Sequence, residues 1–499
     1  MRHQLKNACM VAVTASLLTA CNLSPFSKAE PPALVQNTFQ FTTLGDKTTA
    51  EKEVVTYCAA DPLLDFAPYT ENAELNRLLA AGRENNVDLR IATQRVSESQ
   101  AKQDGTLAAL FPTLGLGLSA IRSDNSQSRA DLSVLSPRLN NILGSTSPIQ
   151  TRYRSQLGIT GYEIDVWGRL RSLNNAEKSQ VLSQQAYRLF TMVELQAQIL
   201  THYYDLQFTA KARSALQREM ALRKKAEAYM QMLMAGGQLS ELEIQNWNMQ
   251  GRSLQKNYTD LERQMHASYG TLYRLTDLPE LLQQRGLTAL NQWPSQEMWR
   301  NRPIDSRVVL LRPDVQYAEL NISRADGNIG AARAAFMPVL KLDMTFGRTS
   351  ETFSDVMSYA GKGWTIMPSL FTSIFDFGKN RANLNAAKAQ ARIALIEYQK
   401  SLIQAYQDLQ DAIDKMSVAS TLRAQAQANE KLMRAIQLKA QAGRKAGMNS
   451  DLDILLLKIE ATEIELDRIK IERDATQAQV LLYRALGGRY LKQCDSKTS

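Results

Sequence analysis

Two stretches, residues 169–236 and 379–446, set the scale of this chain. Each runs 68 residues without a proline and holds a single glycine, Gly236 in the first and Gly443 in the second. Alanine, leucine, glutamine, lysine, arginine and glutamate fill both, the residues that lose least on entering a helix. At about 1.5 Å per residue each predicts a continuous helix roughly 100 Å long, several times the usual globular length. Such helices do not fit inside a compact domain. They must be staves of something elongated.

The rest of the composition agrees with long packed helices: 44 % of the 499 residues are hydrophobic and only 24 are glycine. The net charge of +9 is spread as interspersed charges of both signs, with no basic block, which argues against a nucleic-acid partner. The first residues read as an export leader, residues 1–20, with Arg2 and Lys6 ahead of an apolar run at 8–18 that is too short to span a bilayer. The leader ends Leu18-Thr19-Ala20-Cys21, which resembles the lipobox of bacterial lipoproteins and predicts acylation of Cys21. Asn22 stands where lipoproteins kept in the inner membrane carry aspartate, so the resemblance implies the outer membrane. Cys58 and Cys494 remain, and in an oxidising compartment they form either a disulfide or two free buried thiols.

Residues 21–71 are mixed and proline-dotted, the pattern of an anchored tail. A first repeat is expected at 72–275: a short helix, a second helix stopped before Pro112, a β-hairpin at 113–166, the long helix 169–236 and a helix at 240–275. In the hairpin Leu114, Leu116, Leu118 and Ala120 alternate with Thr113, Gly115, Gly117 and Ser119. A polar loop fills residues 123–151. Residues 276–303, with Pro279, Pro294 and Pro303, form a connector.

The programme then repeats over residues 304–488. Asp314 and Pro338 follow Asp88 and Pro112 at one constant spacing of 226; Gly378, Gly447 and Ser450 follow Gly168, Gly237 and Ser240 at another, 210. A second hairpin at 339–377, the long helix 379–446 and a helix at 450–486 follow, then a tail at 489–499. The 16-residue difference between the two spacings falls inside the hairpin, so the hairpin tip is free to vary and the helices are fixed. Leu340, Leu342, Met344 and Phe346 alternate with Lys341, Asp343 and Thr345, one face for hydrocarbon and one for water. The alternation alone fits two soluble hairpins packed against something else as well as a membrane β-barrel; with the lipobox and the long helices it points to the barrel, and four strands are too few to close one, so several chains must share it.

With the duplicated Asn86/Arg312-x-Asp, the Phe111-Pro112 and Phe336-Met337-Pro338 stops, Asp165-Val166-Trp167-Gly168-Arg169, Phe375-Asp376-Phe377-Gly378 and the closing Tyr483-Arg484-Ala485-Leu486-Gly487-Gly488, nearly the whole mature chain resembles the TolC/OprM family of outer-membrane efflux channels, in its lipoprotein branch. The resemblance implies an α+β membrane protein: a homotrimer whose twelve-stranded β-barrel, four strands per chain, continues into a periplasmic α-helical barrel. It implies work with a periplasmic adaptor and an inner-membrane pump, with outer-membrane lipid around the barrel and no cofactor. It also implies that both ends of the repeated body return to the middle of the α-barrel, which would bring Cys58 near Cys494. A channel of the same fold for protein secretion, or a lipid-anchored coiled-coil adaptor, are the rival readings.

No catalytic constellation is present, and His202 and His266 lie in helical stretches without metal-ligand spacing, as structural residues do. The tips of the long hairpins carry the candidate gate: Gly237, Ser240 and Glu243 in the first, Gly447, Ser450 and Asp453 in the second. Ser240-x-x-Glu243 and Ser450-x-x-Asp453 have capping-box spacing. The resemblance gives Asp453 a second role, an inward-facing acidic ring, with Leu452 and Leu456 as its apolar neighbours. A family member with two such rings has its second acid three residues later; here that position is Leu456, so one ring is implied.

Overall fold

A computed structural model describes residues 57–59, 72–124, 149–283, 304, 306–357, 363–488 and 491–493. The leader, Cys21, the polar hairpin loop at 125–148, the connector at 284–303 and Cys494 lie outside the described residues. A short strand β1 (Tyr57–Ala59) precedes α1 (Ala73–Asn85), α2 (Val87–Ala108), β2 (Leu114–Asp124), β3 (Ile149–Ile164), α3 (Arg169–Ala235), α4 (Glu241–Thr276) and a turn of helix, α5 (Glu280–Gln283). After a 3-10 turn at Ser306–Leu311 come α6 (Pro313–Ala334), β4 (Val339–Ser350), α7 (Phe353–Met357), β5 (Gly363–Phe371), α8 (Lys379–Lys445), α9 (Asp451–Ala485) and β6 (Leu491–Gln493).

Both long helices, α3 and α8, are 67 residues long. Each starts after a left-handed glycine, Gly168 or Gly378, with no capping side chain of its own. The free N–H groups go to an aspartate just upstream. Asp165 accepts from Leu170 N (3.1 Å) and Arg171 N (2.9 Å), and Asp376 accepts from Gly378 N (2.9 Å) and Asn380 N (3.0 Å). This corrects one expected boundary. Apolar Phe375 and Phe377 prolong the alternation, yet β5 stops at Phe371, because Asp376 is used as the helix cap and Phe377 turns to a φ of 53°.

The helices form one layer in the order α2/α4, α3, α6/α9, α8. The shorter helices act as half staves: α3 packs on α2 and α6 toward the strands and on α4 and α9 beyond them, while α8 packs on α6 and then α9. Position in the layer explains burial. Around its middle α3 is buried nearly all round (Leu195, Ala197, Ile199, Leu200, Tyr203, Tyr204, Leu206, Phe208), because it has neighbours on both sides. The buried residues of α8 instead form a single seam, with Ala405, Ala412, Ala419, Ala426, Met433 and Ala440 recurring every seven residues. A seven-residue period imposes a left-handed supercoil, and alanine lets the neighbouring helix come close. The other side of α8, with Ile393, Ile396, Ile403 and Leu432 more than half exposed, has no neighbour among the described residues.

Each repeat is tied together by a buried contact at the matching position. Asn86 donates to Leu275 O (3.1 Å); its counterpart Arg312 reaches Ala485 O (3.3 Å), the position that answers Leu275, and is ion-paired to Asp314 (2.8 Å) and Asp408 (2.9 Å). β1 pairs antiparallel with β6, with Cys58 opposite Lys492, so the start and the end of the repeated body lie side by side.

The four long strands form one antiparallel sheet in the order β2-β3-β4-β5, with β2 and β5 as open edges. Register lines up side chains that sequence alternation alone cannot pair. One row is Leu116, Leu157, Phe346 and Trp364, and the next is Leu114, Ile159, Met344 and Ile366. Two further rows toward the helices read Tyr162, Leu342, Pro368 and Ile164, Leu340, Leu370. The opposite face carries Gly115, Gly158, Thr345, Thr365 and Gly117, Gln156, Gly347, Gly363. Two of its glycines are steric necessities: a Cβ on Gly158 would run into the Met344 carbonyl, and one on Gly347 into that of Ser155. A bulge between Ile159 and Tyr162 is held by Gly161, at φ 68°, whose N–H donates to Asp343 Oδ1 (2.6 Å). One face is thus an apolar band and the other small and polar, the two surfaces of a membrane barrel.

Candidate gate at the hairpin tips

At the end farthest from the strands, α3 turns into α4 and α8 into α9. Each long helix closes with a left-handed glycine, Gly237 (φ 73°) or Gly447 (φ 75°). Bonds from Gln238 N to Leu233 O (2.9 Å) and from Met448 N to Gly443 O (2.8 Å) satisfy the last carbonyls. The helix that follows starts with a full capping box. Glu243 accepts from Ser240 N (2.8 Å) and Asp453 from Ser450 N (2.8 Å), while each serine hydroxyl caps the N–H of its acid in return. The backbone N–H of Ser450, and then its hydroxyl, hold the Asp453 carboxyl below the usual carboxylate range; Ser240 does the same for Glu243. The folded pKa being depressed, each box stabilises its turn above the ordinary carboxylate pKa and weakens only as pH falls through the lowered value. Near neutrality Asp453 is a fixed negative charge.

The two tips are not equivalent. In the second, Arg444 pairs with Asp451, and Asn449 reaches back across the turn to donate to Ala440 O (2.9 Å) over the bare Cα of Gly443. In the first, Met234, Glu241, Leu239 and Leu233 occupy the corresponding positions, and no such bonds are possible. The turn bearing Asp453 is therefore the stiffer one. Asp453 and Leu456 are exposed on α9, Leu452 is half-buried, and Ile454 is packed inward. Asp453 and Leu456, three apart on a helix, share a face turned away from their own hairpin.

Above the tips lie links that sequence reading missed. Arg218 on α3 grips Glu465 on α9 with two bonds (2.7 and 2.8 Å). Arg223 lies between Glu219 (3.0 Å) and Glu463 (3.2 Å), with its guanidinium 4.7 Å from the centre of the Trp247 ring. Glu219 is fully buried; burial raises its pKa and Arg223 opposes the rise. The Glu219–Arg223 spacing of four was a local signal, but the bonds to α9 depend on tertiary register alone. His202 is half-buried, with its pKa lowered by burial, and His266 is exposed. Among the described residues no three His, Cys, Asp or Glu side chains form a group able to hold a metal ion, and no helix is long and apolar enough to cross a membrane.

Comparison with known proteins places this architecture. The profile of the outer membrane efflux protein family matches residues 78–277 and 306–488, which are the two repeats on either side of the connector. The outer membrane protein OprJ of Pseudomonas aeruginosa is 27 % identical over 97 % of this chain and 95 % of its own length. The solvent efflux pump outer membrane protein SrpC of Pseudomonas putida is 27 % identical over 84 % of this chain and 86 % of its own. Among solved structures, the Campylobacter jejuni CmeC outer membrane channel superposes with a TM-score of 0.75 at 22 % identity, covering 95 % of this chain and 96 % of CmeC. The chain belongs to the outer membrane efflux protein family, and its hairpins and long helices are the β-barrel and helical-barrel parts of that family's channel fold.

Proposed function

We propose that three copies of this chain close into one conduit that carries small molecules across the outer membrane, fed by an inner-membrane pump through a periplasmic adaptor. The observation that carries this reading is the pair of open edges. Among the described residues the sheet ends in one free edge each on β2 and β5, and the helical layer ends in α2/α4 on one side and in α8, with its bare apolar side, on the other. Copies laid edge to edge would satisfy both at once; the number three comes from the family's channel fold. Transport of this kind needs a pore and a gate and no bond-making chemistry. Relatives named for antibiotic, solvent and pyoverdine efflux support small molecules as cargo. Cys21 would carry the lipid.

The gate belongs at the Asp453 turn. Three-fold symmetry would bring three Asp453 carboxylates to one axis, with Leu456 beside them, giving a cation-attracting ring at the narrow mouth. Closure would then rest on the stiff second tip and the arginine links to α3, since like charges alone repel. Asp453→Ala should reduce cation selectivity and weaken divalent-ion block in planar bilayers. A variant that loses about 1 kcal/mol of local stability while selectivity and block stay unchanged would leave Asp453 with its cap alone.

The two tails would be tied together by a Cys58–Cys494 disulfide, supported by the pairing of β1 with β6, in which Gln493, the residue before Cys494, faces Tyr57. Iodoacetamide should fail to alkylate either thiol until a reductant is added. Alkylation of both without reduction would refute the bridge.

A further inference from the structure

The apolar face of the sheet can be read row by row from the helices outward. Outward-facing positions run Leu114 to Arg122 on β2, Ile164 back to Thr151 on β3, Leu340 to Ser350 on β4 and Leu370 back to Trp364 on β5. Four apolar rows are followed by Leu118, Ser155, Arg348, then Ala120, Tyr153, Ser350, then Arg122 with Thr151. Over this span the only charged residues on the outward face are Arg348 and Arg122, both cationic, and both at the end away from the helices; Asp124 stands one row beyond.

Height decides what they meet. Rows two residues apart are about 6.7 Å apart along a strand and about 5 Å apart in height at a tilt near 40°. At the helix end, exposed Phe111, Trp167 and Phe375 mark one boundary of the band. Counting up from them, Arg348 lies roughly 25 Å higher, the height of an outer-membrane apolar band, and Arg122 roughly 10 Å beyond that. Aromatic groups flank the level of Arg348, with Trp364 72 % exposed one row below and Tyr153 one row above, edge-on to Phe353 at 5.6 Å. An arginine facing lipid at mid-membrane is strongly unfavourable but costs little at the boundary, where headgroup phosphates lie. The guanidinium fork matches phosphate geometry better than any other side chain.

We propose that Arg348 and Arg122 form a binding site on the lipid-facing rim for the phosphate groups of the phosphorylated glycolipid of the outer leaflet. The site rests on the barrel reading above: the apolar rows insert the strands, and the two arginines select the lipid that lines them. The test uses the full-length protein, purified and mixed with bisphosphorylated lipid A. Wild type should retain it, and the double variant Arg122→Gln/Arg348→Gln should retain it roughly tenfold less well, through loss of two charge-assisted contacts. The double lysine variant should recover most of the binding. Retention by the glutamine variant equal to wild type would overturn the proposal, as would equal retention of lipid A stripped of both phosphates. Recovery of the variants from outer-membrane fractions reads the barrel assignment separately, so a failure of either idea shows in its own arm.

Discussion

Ile366→Arg should abolish accumulation of this protein in the outer membrane, while Thr365→Arg, one residue away on β5, should leave it largely intact. Ile366 lies in the row Leu114, Ile159, Met344, Ile366, near the middle of the apolar band, and its side chain is half exposed in the single chain. Thr365 lies in the opposite row with Gly115, Gly158 and Thr345. An arginine at mid-membrane depth costs about 2–4 kcal/mol per copy, and a closed ring of three would bear it three times; on the lumen side the same residue meets water. Quantifying mature protein in membrane fractions checks this. Equal insertion of the two variants would mean that the apolar face does not contact lipid.

Arg312→Ala should be the most destabilising single change in the helical region. Arg312 is 4 % exposed, and its removal leaves Asp314 and Asp408 facing each other without their shared cation and the Ala485 carbonyl without a donor. Breaking a buried ion pair from one side typically costs about 3–5 kcal/mol. The repeat supplies its own control. Asn86 is equally buried and makes the matching bond to Leu275 O, but it is neutral, so Asn86→Ala should cost about 1–3 kcal/mol. The temperature at which the oligomer falls apart in detergent should drop further for Arg312→Ala than for Asn86→Ala. The reverse order would contradict the assignment of Arg312 as the electrostatic keystone between α6, α8 and α9.

Much of this was legible because it is local. Proline-free composition marks α3 and α8, Ser-x-x-acid spacing marks both capping boxes, and period-two alternation marks the strands. What needed the structure was long-range. No spacing tells that Leu116 meets Leu157, Phe346 and Trp364, because register is set by the turns and by packing on the other side. No spacing tells that Arg218 and Arg223 reach Glu465 and Glu463, because about 240 residues separate them. The strands also run further into the expected 123–151 loop, with β2 reaching Asp124 and β3 starting at Ile149, and the end of β5 was read wrongly for a physical reason. The apolar Phe375 and Phe377 imitate a strand, while the demand of a long helix for an acceptor at its first turn takes Asp376 out of it.

The central claim is that one chain is an incomplete barrel which only copies of itself can close. The most direct measurement is the mass of the detergent-solubilised protein, corrected for bound detergent and lipid, together with cross-linking at low protein concentration. Open edges on both β2 and β5, and an unpaired apolar side on α8, predict a single species of three chains that resists dissociation by heat in detergent. A folded, stable monomer under the same conditions would contradict the account.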